Sequence, residues 1–369
     1  MVSYYEALDK IKECVSQYFT VEDTFYEAGF LTFVVAETEI KENFRRLYAD
    51  LKKLGYVPTA RRREGRTVIR VLKYREPSFA WARFRRLPLI LFIATLAVIT
   101  ADGYFRASAS VYELVIAQRG ILDRLLEASL FAAFLMLIIG LHELGHIIAA
   151  KRKGMSATLP YFIPGIPGII PTFGAVIFQK EPLINRDDMF DLGISGPVMS
   201  FLLSILVMLF AVKTQTLWLT EAEYASIVEK IIRHGGAALP APLAMKFIIM
   251  LFLIPGRIPL LVDTVGLAAW IGFLITALNL LPIWQLDGSK VFRSVLTQRQ
   301  HKIAGYISLV LLVLSNPSFI FIAILFFLLM HRMPDIPPLD EVSPLSKGRK
   351  LLFPLTFVMI ALSLPLFFL

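Results

Sequence analysis

His142-Glu143-Leu144-Gly145-His146 holds the residue types and spacing that point most directly to chemistry in this chain. On a helix, two histidines four apart stand one turn above each other, where both imidazoles can bind one Zn²⁺. A glutamate beside the first histidine can take a proton from water that the metal polarises. Residues 130–141 lead straight into the segment and contain no polar side chain. If that helix is continuous, the metal lies at membrane depth, where ionisable groups are costly and usually functional. The ordinary alternative, a solvated surface helix, does not suit two preceding turns of purely apolar residues.

Two histidines leave a zinc site incomplete, because a catalytic zinc usually takes three protein ligands and keeps one position open. Cys14 is the single cysteine, so a cysteine-based zinc site and an internal disulfide are both excluded. The third ligand is expected to be a carboxylate or histidine at the same depth, and Asp287 meets that demand at the end of a later apolar run. Asp263 is its strongest rival. It lies 24 residues away at the other end of the same run, roughly 35 Å along a helix rising about 1.5 Å per residue. Asp102 and Asp191 flank apolar runs without a supporting pattern, and His234, His301 and His331 read as boundary or surface histidines.

The elements that must position these residues belong to an integral membrane protein. The 369 residues are 56% hydrophobic with a mean hydropathy of +0.66, above the roughly 45–50% apolar content of soluble chains. The net charge of +9 does not indicate nucleic acid, because the basic residues cluster beside apolar spans, as the positive-inside rule expects. The N-terminus has early acids and no apolar core, so neither a secretory signal nor a plastid transit peptide is expected.

Residues 1–78 predict a small soluble α+β domain in the order α-β-β-α-β-β. A helix is expected over 4–18, a hairpin over 25–36 turning at Ala28-Gly29, and a helix over 40–54 ended by Gly55. Strands at 57–60 and 67–74 would be joined by the charged turn 61–65. Residues 79–369 predict a polytopic α-helical membrane domain of about seven spans. The first four are 87–104, 128–150, 192–212 and 260–281. Basic residues 83–86 and 151–153 put the N-terminal domain and the motif end of the second span toward the cytoplasm. Residues 243–254 are too short to cross. The runs 303–314 and 319–330 flank Asn316-Pro317 and read as a tight helical hairpin or as one kinked segment, and 351–369 is the last run. Residues 159–178 are apolar but rich in Pro and Gly, so they cannot be a helix. They read as a re-entrant, β-hairpin-like segment embedded near the metal, or as a loop on the membrane surface.

At this point the chain resembles the site-2 proteases, a family of intramembrane zinc metalloproteases. Three segments carry the resemblance: His142–His146 inside a span, Gly196-Pro-Val-Met-Ser200 at the start of the next, and Asn279-Leu-Leu-Pro-Ile-Trp-Gln-Leu-Asp-Gly288. Spacing and the Pro/Gly-rich segment look closest to the archaeal, cyanobacterial and plastid branch, and the protease core would span about 128–290. The resemblance implies His142, His146 and Asp287 as zinc ligands and Glu143 as general base and later general acid. Asn279 would hold substrate or polarise the scissile carbonyl, and Phe173 and Gly174 would line the substrate side of the embedded segment. Gly145 would permit close helix packing and Gly288 the turn after the ligand. It also implies transmembrane protein substrates, a lipid bilayer as the medium and no nucleic acid, with a prokaryotic cell membrane as the expected location. No PDZ-like insert follows the third span, and Ser289 stands where many members have another glycine. The competing reading is a non-proteolytic zinc-binding membrane scaffold or transporter, although no inverted repeat supports a transporter.

Overall fold

Ala28-Gly29 and Glu64-Gly65 both place two consecutive residues at positive φ (50° and 80°, 49° and 81°), the pair that a tight two-residue hairpin needs to match strand twist. They close β1 (Val21–Glu27) onto β2 (Phe30–Val35) and β3 (Tyr56–Arg63) onto β4 (Arg66–Lys73). The second turn is shorter than the charge run suggested. Arg61, Arg62 and Arg63 continue β3, because the Glu64-Gly65 pair alone reverses the chain and Arg63 Nη1 reaches Glu27 Oε1 at 2.6 Å across the sheet. With α1 (Tyr4–Tyr18) and α2 (Lys41–Lys53), these strands give the expected α-β-β-α-β-β order in an antiparallel sheet β1-β2-β4-β3. Val15, Phe33, Phe44, Leu47, Leu51 and Ile69 form its dry core.

In this computed structural model the chain is described over residues 4–75, 84–108, 120–168, 170–233, 239–261, 264–283, 285–332 and 337–365. Three helices among them are long and apolar enough to cross a membrane: α3 (Leu87–Ser108), α4 (Ile121–Arg152) and α5 (Arg186–Gln215). Their outer faces leave Leu89, Ile90, Leu137, Leu202 and Leu206 exposed, a surface that suits lipid rather than water. Half of the apolar window of α4 is buried, against 22% of that of α3, so α4 is the more enclosed and the better placed to carry a site. After α5 come β7 (Thr216–Leu219), α6 (Glu221–Arg233), α7 (Leu243–Met250) and β8 (Ile258–Leu261). The helix expected from residue 260 begins later, as α8 (Thr264–Asn279). Pro259 cannot extend a helix backward, and Ile258–Leu261 pairs instead with Thr216–Leu219.

The Pro/Gly-rich segment is a hairpin of β5 (Tyr161–Ile166) and β6 (Ile170–Val176). Phe162 packs with Ile99, Phe131, Leu135 and Ile139 of α3 and α4. Asp102, one of the carboxylates weighed as a ligand, holds this hairpin instead. It accepts from Gly168 N at 2.6 Å and from Arg106 at 2.5 Å.

The chain continues through α9 (Asp287–Val295), α10 (Gln298–Ser315), a 3₁₀ turn (Pro317–Phe319), α11 (Ile320–Arg332) and α12 (Lys347–Ser363). Of the two readings of the runs around Asn316, the hairpin is the one seen. The Tyr306 and Phe327 rings lie 6.1 Å apart across it. Residues 339–341 lie against the N-terminal unit, where Ala60 N donates to Leu339 O (2.8 Å) and Glu341 N to Ala60 O (3.2 Å).

The N-terminal unit is fastened to the start of α5 by ion pairs. Lys41 meets Asp187 at 2.7 Å and Arg45 meets Asp188 at 2.8 Å. Lys52 meets Glu181 at 3.3 Å. Burial pushes the Glu181 carboxyl up, but the Ser156 N–H and hydroxyl and the Lys52 ammonium outweigh it and hold Glu181 below its ordinary value.

Candidate metal centre

His142 and His146 stand one turn apart on the buried face of α4, with their ring centroids 4.9 Å apart. Their Nε2 atoms are 3.2 Å apart. Asp287, the first residue of α9, brings Oδ2 to 3.1 Å from His142 Nε2 and 3.0 Å from His146 Nε2. One donor atom from each of the three lies within 4.8 Å of the others.

The opposite ring nitrogens have partners that can take their protons. His146 Nδ1 lies 2.8 Å from the Leu192 carbonyl of α5, which can only accept. His142 Nδ1 lies 3.1 Å from Ser200 Oγ. The Ser200 proton has acceptors in Pro197 O and Thr276 Oγ1, which frees a lone pair for His142 Nδ1–H. In the tautomer with both protons on Nδ1, two imidazole lone pairs face one carboxylate oxygen in a buried space. Three acceptors without a shared proton repel one another, and a divalent cation resolves this. Two histidines and one carboxylate with a fourth position open match the donor chemistry of catalytic zinc. Lys290 Nζ, one turn along α9, holds the other Asp287 oxygen at 3.0 Å, leaving Oδ2 for the metal.

Close backbone approach makes this geometry possible. A Cβ at Gly196 would fall on the His146 imidazole, and one at Gly193 would lie 2.7 Å from Asp287 O. A Cβ at Gly145 would lie 2.6 Å from Ser195 O, so α4 and α5 touch there by backbone. Gly288 leaves no room for a side chain beneath Leu280 O, which locates α9 under the end of α8.

Glu143 is buried beside His142 and hydrogen-bonds no described residue. Asn279, last residue of α8, brings Nδ2 to 3.5 Å from His142 Nε2. Phe173 and Gly174 lie on β6, Phe173 58% exposed and Gly174 at φ 90°. Neither hydrogen-bonds nor stacks on the three donors. Asp191 is spent on Arg349 (2.6 Å) and Lys153 (2.7 Å). His301, expected at a boundary or surface, is buried, with Ser289 Oγ 3.2 Å from its Nε2. His331 is exposed and stacks on Phe327. Asp263 and His234 lie outside the described residues.

Residue patterns alone did not single out Ser200, Thr276, Lys290 or the Leu192 carbonyl as supports. The usable signal was Gly193, Gly196 and Ser200 at helical spacing on an apolar helix, a small-residue face that lets another backbone approach. Replacing Asp287 with alanine is expected to lower zinc occupancy, measured by elemental analysis of the purified chain. The loss should exceed the ~10–100-fold that removing an orienting partner costs. Full occupancy in that variant would take Asp287 out of the ligand set.

Residues 130–315, about half of the chain, match the model of peptidase family M50. The chain is similar to Probable zinc metalloprotease EGY1, chloroplastic, of Arabidopsis thaliana, with 30% identity over 239 residues, 62% of this chain and 41% of that protein. It is similar to Probable zinc metalloprotease EGY2, chloroplastic, of the same plant, at 28% over 218 residues, 56% of this chain and 36% of that protein. EGY1 of Oryza sativa subsp. japonica is 25% identical over 245 residues, 64% of this chain and 41% of that protein. The chain thus spans about two fifths of the length of these relatives. No solved structure matches it.

Proposed function

The chain belongs to peptidase family M50, the site-2 proteases, and from that premise we propose that it hydrolyses peptide bonds in transmembrane segments of membrane proteins. The observation that carries this reading is the convergence of Asp287 Oδ2 with His142 Nε2 and His146 Nε2, the two histidines standing on a helix long and apolar enough to cross a bilayer. Zinc held by these three would polarise the scissile carbonyl and acidify the attacking water. Glu143 takes that proton and returns it to the leaving amine. No described residue hydrogen-bonds Glu143, which leaves the carboxylate available to water. Asn279 Nδ2 donates to the scissile carbonyl, and Lys290 keeps Asp287 turned toward the histidines.

A transmembrane substrate has its carbonyls bonded internally and must unwind before it can be cut. Strand β6, with exposed Phe173 and the open Gly174, offers a backbone edge to the unwound segment. The domain plan we propose is residues 1–78 as an α+β domain and 79–369 as the membrane domain, with the protease core at about 128–290 and seven crossings. The N-terminal domain and the metal centre share the cytoplasmic side, from which water enters, and a prokaryotic cell membrane is the location proposed.

Cleavage of a single-span membrane protein by the purified chain in detergent tests this reading. Cleavage is expected, with loss on chelation and recovery on adding zinc. Cleavage insensitive to chelation rejects the zinc mechanism. Tight zinc binding with no cleavage of any single-span protein offered favours the scaffold reading.

A further inference from the structure

Away from the metal centre, a cavity of about 280 Å³ opens where α5 begins, α9 ends and α12 begins. Arg186, Ser294, Thr297, Glu341, Leu345 and Lys350 are among its lining residues. Its one lining acid does not neutralise its two lining cations. Both Glu341 oxygens are taken from behind, Oε2 by Arg61 Nε at 3.0 Å and Oε1 by the buried Arg293. Arg186 spends Nη1 on the Ser294 carbonyl at 3.1 Å and forms no ion pair among the described residues, and neither does Lys350. The neighbouring Asp340 uses Oδ1 on the N–H groups of Val342 and Ser343. Among the described residues, Arg186 and Lys350 therefore line the cavity without an ion-pair partner, and the one lining carboxylate, Glu341, is already held by two arginines.

Two like charges on one cavity, with no acid left over for them, favour an anion between them. A guanidinium with unused donors beside a mobile ammonium suits the oxygens of a phosphate. The depth also fits. Lys350 is followed by Leu351, 82% exposed, and Leu352, 52% exposed, so α12 faces an apolar medium directly after its last cation. The cavity lies at the polar–apolar boundary, where the phosphates of lipid headgroups are found.

We propose that this cavity binds a phosphate oxyanion between Arg186 and Lys350, carried by an anionic lipid headgroup or free in solution. The test uses the delipidated full chain in neutral detergent. One arm offers phosphatidylglycerol or phosphatidylcholine and counts retained lipids by native mass spectrometry. The other measures labelled inorganic phosphate by equilibrium dialysis. Arg186→Gln and Lys350→Gln are compared with Arg233→Gln, an equal charge change at an exposed pair elsewhere. In at least one arm, saturable one-to-one binding is expected that weakens tenfold or more in the two cavity variants and not in the control. Binding of phosphatidylglycerol but not phosphatidylcholine assigns the lipid source, and binding of inorganic phosphate assigns the soluble one. No saturable binding in either arm, or equal weakening in all three variants or in none, overturns the proposal. Should Arg186→Gln fail to fold, Lys350→Gln decides alone, since its side chain is exposed. The readout is binding, so its failure leaves the protease reading untouched.

Discussion

Glu143→Gln is expected to abolish peptide hydrolysis while leaving zinc bound. Glutamine keeps the shape of the side chain and removes its ability to accept a proton. General-base catalysis contributes about 10²–10⁴-fold, and here the same group also protonates the leaving amine, so the loss should lie at the upper end or beyond detection. Zinc should stay because Glu143 is not one of the three converging donors, which are His142, His146 and Asp287. The prediction therefore separates two measurements that most damage would move together, cleavage of a single-span substrate and metal content of the purified chain. Retained cleavage rejects Glu143 as the proton carrier. Loss of zinc alongside cleavage would show that the carboxylate holds the metal or the fold instead.

Much of the metal centre was legible in the residue pattern because its parts are local or end an apolar run. The spacing of His142 and His146 dictates a shared helix face. Asp287 could be picked as the third candidate because it follows the apolar run that includes α8. The N-terminal element order was legible for a similar reason, since Ala28-Gly29 and Gly55 punctuate short periodic segments. What escaped were contacts between segments far apart in sequence. Ser200, Thr276 and the Leu192 carbonyl gain their roles only when α5 and α8 lie against α4, and no periodicity records that. Asp102 has no supporting pattern as a ligand, and its actual role, holding the hairpin through Gly168 N and Arg106, is likewise a contact between segments. The start of α8 was misplaced because hydropathy does not tell a short apolar strand from the first turn of a helix; Pro259 was the cue against helix. His301 reads as a boundary or surface residue from the basic residues near it, while its contact with Ser289 across a helix boundary is not recorded in that pattern.

Gly196→Ala is expected to empty the metal centre without touching a ligand. The added methyl would occupy the position of the His146 imidazole edge that faces the metal. The packing around this point is already tight on both helices. On α4, Gly145 already meets Ser195 of α5 by backbone, and on α5, Gly193 is pressed against Asp287 O. The imidazole must therefore rotate, which breaks its bond to the Leu192 carbonyl and turns Nε2 away from His142 and Asp287. Overpacking of this kind costs about 1–3 kcal/mol, an amount the fold can absorb but a three-donor site cannot, so zinc occupancy should fall at least ~10-fold while the chain still purifies as a folded species. Gly140→Ala is the control, with the same chemical change on the same helix as His146. A Cβ there meets nothing within 4 Å, and zinc content and cleavage should both be unchanged. If Gly196→Ala binds zinc as the parent chain does, the contact between α5 and His146 is not what orients the ligand. If both variants lose zinc equally, the effect belongs to helix propensity or expression rather than to the space at His146. Only the asymmetric outcome ties the glycine of the Gly-Pro-Val-Met-Ser segment to the metal by geometry.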